Sequence, residues 1–77
     1  MGFGRDRFIV EGYSSSEIFI SSNPEVSRRF WNLNKARRYY KSLNNIPTIK
    51  ARSIIRVRKQ LFRNDWRTVL RAESRNY

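Results

Sequence analysis

The sequence predicts an α+β domain, a small antiparallel sheet of about four strands with one main helix packed on one face. Three observations carry that reading. Read as strands, "RSIIRVRK" (52–59) puts Arg52, Ile54, Arg56 and Arg58 on one face and Ser53, Ile55, Val57 and Lys59 on the other, and "WRTVLRAE" (66–73) sets Trp66, Thr68, Leu70 and Ala72 against Arg67, Val69, Arg71 and Glu73. Val26, Phe30, Leu33, Ala36, Tyr40 and Leu43 recur at spacings of three and four, which is the period of a helix. The 77 residues include 20 Ile, Leu, Val and Phe, enough for one small core, so residues 1–77 form a single domain.

The elements follow in order. "RFIVEGY" (7–13) and "EIFISS" (17–22) are short apolar runs on either side of "SSS" (14–16), and they read as two strands joined by a turn. Asn23, Pro24 and Glu25 then suit either a helix start or a type I turn. One continuous helix from 24 to 44 would place Arg29 within its own apolar stripe, where an unpaired guanidinium is costly. The spacing therefore predicts a break near Trp31, Asn32 as N-cap and "LNKARRYYKSL" as the main helix. Residues 24–31 form either a separate short helix or an extra strand.

Asn44 and Asn45 suit a left-handed cap, and Pro47 prevents the helix from continuing. Two strands, roughly 50–60 and 66–73, follow as a hairpin through "FRNDW". In the last strand Trp66, Thr68, Leu70 and Ala72 are expected on the core side, with Trp66 and Leu70 beside Ile55 and Val57. Tyr40, in phase with the helix stripe, is expected in the core as well.

The charge is the functional signal. The net charge is +11 and the pI near 11.3, a balance that speaks to partners rather than to fold. Residues 26–64 contain twelve bases and no acid. A face kept positive only for solubility intersperses both signs, so this span points to an anionic partner. Arg outnumbers Lys 13 to 4, which favours planar, two-pronged recognition of phosphate. If the hairpin pairs in simple alternation, Arg52, Arg56, Arg58, Arg67 and Arg71 share one sheet surface. Lys35, Arg38 and Lys41 lie on the outer side of the helix, and Tyr39, out of phase with the stripe, is the candidate for stacking on bases.

Other chemistries find little support. The chain has no Cys and no His, which removes disulfides, thiolate metal sites and the commonest general base. Asp6, Glu11, Glu17, Glu25, Asp65 and Glu73 are dispersed, where a metal-dependent nuclease needs converging carboxylates. The glycines Gly2, Gly4 and Gly12 cannot build a phosphate loop. No catalytic residue, metal or cofactor is expected. "MGFGRDRFIV" has no apolar core of a signal peptide, no run suits a membrane span, and the helix lacks the broad apolar face of a membrane-surface helix. A cytoplasmic protein is the expectation.

"FWNLNKARRYYKSLNN" followed by "ARSIIRVRK" resembles the arrangement of strand, Asn or Thr cap, Leu-x-x-Ala-x-x-Tyr-x-x-Leu helix and strand in small accessory proteins of bacteriophage genomes. The likeness covers residues 30–58, and Asn34 and Lys35 stand where such helices usually begin with acids. It implies a ββαββ type of fold and a phage-like origin, and carries no functional residues across. The expected function is non-catalytic nucleic-acid binding, with phosphates contacted through the Arg-rich hairpin, expected to dominate, and the basic helix, and RNA ahead of DNA because no recognition helix with groove-reading Asn or Gln precedes a turn. The alternative is a modulator that docks its basic face on an acidic host protein or a large nucleoprotein complex.

Overall fold

The computed structural model describes residues 6–15, 23–59 and 65–74. Strands β1 (Arg7–Tyr13), β2 (Val26–Phe30), β3 (Ala51–Arg58) and β4 (Trp66–Ser74) form one antiparallel sheet in the order β2-β1-β3-β4. Helix α1 (Leu33–Ser42) packs on one face of it. The expected strand at 17–22 and the "FRNDW" turn lie outside the described residues, apart from Asp65 and Trp66.

The open choice at 24–31 resolves as a strand. Val26 and Phe30 are half-buried against the core, whereas Ser27, Arg28 and Arg29 are exposed. Arg29 pairs with Ile9, and Val10 with Arg28. Directly paired residues share a face, so Arg29 points away from the helix and never enters its apolar stripe. The chain turns at Trp31, and Asn32 caps α1 through Oδ1, which accepts from the backbone N–H of Asn34 at 2.8 Å and of Lys35 at 3.3 Å. No acid stands in the first turn, while Lys41 complements the helix dipole in the last. The helix ends in a 3₁₀ turn over Leu43–Asn45, with Leu43 right-handed, rather than in a left-handed cap.

The core lies between α1 and the central strands. Phe8, Val10, Ala36, Tyr40, Leu43, Ile49 and Ile54 form it, flanked by Val26, Phe30, Leu33 and Tyr39. Ile49 approaches β1 closely because Gly12 carries no side chain. A Cβ there would lie 3.2 Å from Ile49 Cδ1 and 2.8 Å from Val26 Cγ2.

β4 departs from simple alternation. Ile54 pairs with Arg71 but Ile55 with Val69, so Leu70 is an extra residue in a β-bulge. The extra residue reverses the faces of the residues before it. Arg71 and Glu73 stand on the helix side with Ile54 and Arg52, whereas Trp66 pairs with Arg58 and Thr68 with Arg56. Arg67 and Val69 face away. The expected burial of Trp66 and Leu70 beside Ile55 and Val57 is therefore corrected: Trp66 is 61% exposed and Leu70 41%.

Candidate nucleic-acid interface

Of the five strand arginines expected on one surface, the fold brings four to the helix side and separates the fifth. Arg52, Arg56 and Arg58 stand there on β3 and Arg71 on β4; the bulge turns Arg67, paired with Val57, to the other face. The four do not form a continuous free cationic row, because two carboxylates from distant parts of the sequence divide them.

Glu73 holds one end. Its Oε1 accepts from the Tyr40 hydroxyl at 2.8 Å and its Oε2 from Arg52 Nη2 at 3.3 Å, while Arg71 Nε forms an ion pair with Oε1 at 2.7 Å. Arg52 also donates from Nη1 to the Tyr40 carbonyl at 2.7 Å, and its guanidinium lies 4.1 Å from the centre of the Tyr40 ring. Asp6 holds the other end, accepting from Arg58 Nε at 3.0 Å and Nη2 at 3.3 Å in a two-pronged pair. Arg56 acts on the same carboxylate through its charge, and its own Nε is buried without a hydrogen-bond partner. Stacked like charges are tolerated here because each end of the row has its counter-ion.

These contacts move the ionisation of the groups involved. The Tyr40 hydroxyl bond, then those of Arg52, holds the Glu73 carboxyl below its ordinary range, and the Arg58 bond does the same for Asp6. Burial, then the bond to Glu73, pushes Tyr40 up to about 12; burial, then Glu11, does so for Tyr13. Lowered carboxyls stabilise the fold above the ordinary value, 4.5 for Glu73 and 3.8 for Asp6, and that contribution is lost as the pH falls through the folded values. Raised tyrosines bind more protons in the fold than in the open chain between pH 10.0 and about 12, so stability falls as the pH rises through that window. Thermal midpoints against pH are expected to decline on both sides, and Tyr40→Phe to lessen the alkaline decline. An unchanged alkaline limb in that variant would contradict the assignment.

The helix is different. Lys35, Arg37, Arg38 and Lys41 are all exposed, α1 carries no acid, and none of the four has an acidic partner among the described residues. Lys35, Arg38 and Lys41 stand on the outer side, as expected from the sequence. Arg37 was not singled out by periodicity alone, since it lies toward the flank of the stripe; its exposure and its place on the acid-free helix bring it into the set. Arg28 was missed too, because the strand that positions it was one of two alternatives.

Tyr39 is placed differently from a bare stacking platform. It is half-buried, its ring 5.6 Å from that of Phe30, and the Arg28 guanidinium sits 5.2 Å from its centre. Among the described residues the exposed aromatic rings are Trp31, with Arg7 5.9 Å from its centre, and Trp66. Among the described residues no helix is long and apolar enough to cross a membrane, and no group of acids is placed to hold a metal ion. No protein-family model, curated protein or solved structure matches the chain, so any functional reading rests on its own residues.

Proposed function

We propose that this protein binds nucleic acid without catalysis, RNA ahead of DNA, by contacting phosphates through the outer side of α1 and the cations beside it. The observation that carries the reading is the exposed quartet Lys35, Arg37, Arg38 and Lys41, which no acid among the described residues neutralises. Lys35 and Lys41 are six residues apart, about 9 Å along a helix, a span that covers two to three phosphates of one strand measured along a duplex axis at ~3.4 Å each. Arg71 extends the set from β4. Its Nε is held by Glu73, yet its side chain stays 63% exposed. Arg52 and Arg58 contribute less, because Glu73 and Asp6 already hold them.

Four to six such contacts predict that log K falls against log salt with a slope of about −4 to −5 on duplexes and about −3 to −4 on single strands. Titration of labelled oligonucleotides at several salt concentrations measures it. Absence of binding to any strand at low salt would instead favour the second reading, in which the same surface docks on an acidic protein.

A further inference from the structure

A cleft opens between α1 and the β3–β4 pair. Leu33, Ile54 and Leu70 give it apolar walls, and Arg37, Lys41 and Arg71 give it cations from both sides. It exists because of the bulge. In an unbroken strand Leu70 and Arg71 would point to opposite faces, whereas here both line the same cleft. Bulges commonly re-aim a side chain beside a functional site. The cleft lies against the flank of α1 that carries Arg37 and Lys41.

We propose that the cleft takes one unstacked nucleobase of a single-stranded nucleic acid, with the neighbouring phosphates on Arg37, Lys41 and Arg71. The inference rests on the nucleic-acid reading above and narrows it to single strands. Charge complementarity requires an anionic occupant, and the apolar walls require that it also bring a hydrophobic surface. A nucleotide brings both within one residue, and every base has a face that packs on apolar groups. An acidic amphipathic peptide meets the charge but needs a row of several apolar anchors along its helix. This cleft offers one apolar spot, in which Leu70 is exposed, Leu33 half-buried and Ile54 buried. The Arg71 fork suits a phosphate because its guanidinium, paired with Glu73 through Nε, remains largely exposed.

The test compares an oligouridylate, the same strand with abasic residues throughout, and an RNA duplex of equal length, all at one low salt concentration. The protein is expected to bind the abasic strand about tenfold or more weakly than the oligouridylate. Leu70→Ser should weaken the oligouridylate by a similar factor, leave the abasic strand and the duplex unchanged, and keep the salt slope. The comparison of strands uses the unaltered protein, so it holds even if that variant melts early. Equal binding of normal and abasic strands would overturn the cleft while leaving phosphate binding intact. Failure of every strand to bind would overturn both readings, and binding of an acidic amphipathic peptide in their place would assign the cleft to a protein partner.

Discussion

Replacing Leu43 by alanine is expected to lower stability by about 2–5 kcal/mol, whereas replacing Trp66 by alanine should change it by no more than about 1 kcal/mol. Leu43 follows the last turn of α1, is fully buried, and meets Val10, Ile49 and Ile54 in the same core cluster. Truncating it leaves a cavity between elements that cannot collapse, because the 3₁₀ turn and the close approach of Ile49 to Gly12 fix the walls. For a domain of 77 residues, a loss near the upper end of that range is comparable with the whole stability. Trp66 has the larger side chain but remains mostly in water. Urea unfolding of the two variants decides the matter, read as the shift in midpoint at an unchanged slope. A larger loss from Trp66→Ala than from Leu43→Ala would mean that the core extends along the helix side of the sheet to the start of β4.

The contrast between those residues marks how far sequence pattern reaches in this fold. The helix was legible because two local facts agree: Asn32 is a good cap, and extending the helix backward would have buried Arg29. The core place of Tyr40 was legible from period, and the strand at 7–13 from a short apolar run closed by a turn. The faces of β4 were not. Alternation predicts faces only while pairing stays in register, and one unpaired residue at Leu70 reverses the set from Trp66 to Val69. The arginine row was hidden for another reason. Its span, 26–64, has no acid of its own, so its counter-ions come from outside it: Asp6 lies 52 positions from Arg58, and Glu73 lies 21 from Arg52. Local pattern counts charge but does not see such partners. Hence the sign of the charge was readable, while which arginines carry counter-ions needed the pairing.

Changing Lys35, Arg37, Arg38 and Lys41 together to glutamine is therefore expected to reduce affinity for single-stranded RNA by on the order of 10²–10³ near physiological salt, with about a fivefold loss for each phosphate contact removed. Glutamine is nearly as good a helix former as lysine or arginine, and all four side chains are exposed, so the melting temperature should hardly move. The salt slope should flatten by about three units, four contacts at roughly 0.7 each. The matched change of Arg56 and Arg58 to glutamine is expected to do less to binding and more to folding. Arg58 already forms a two-pronged pair with Asp6, and Arg56 lies half-buried beside it. Circular dichroism and binding isotherms on both variants separate the two roles. If the strand pair proved the more damaging to affinity with folding intact, the contact surface would lie along β3, and the carboxylate at Asp6 would have to release Arg58 when the ligand arrives. If neither variant altered binding, the surplus of positive charge would serve solubility, and the cations of α1 would have no anionic partner to explain.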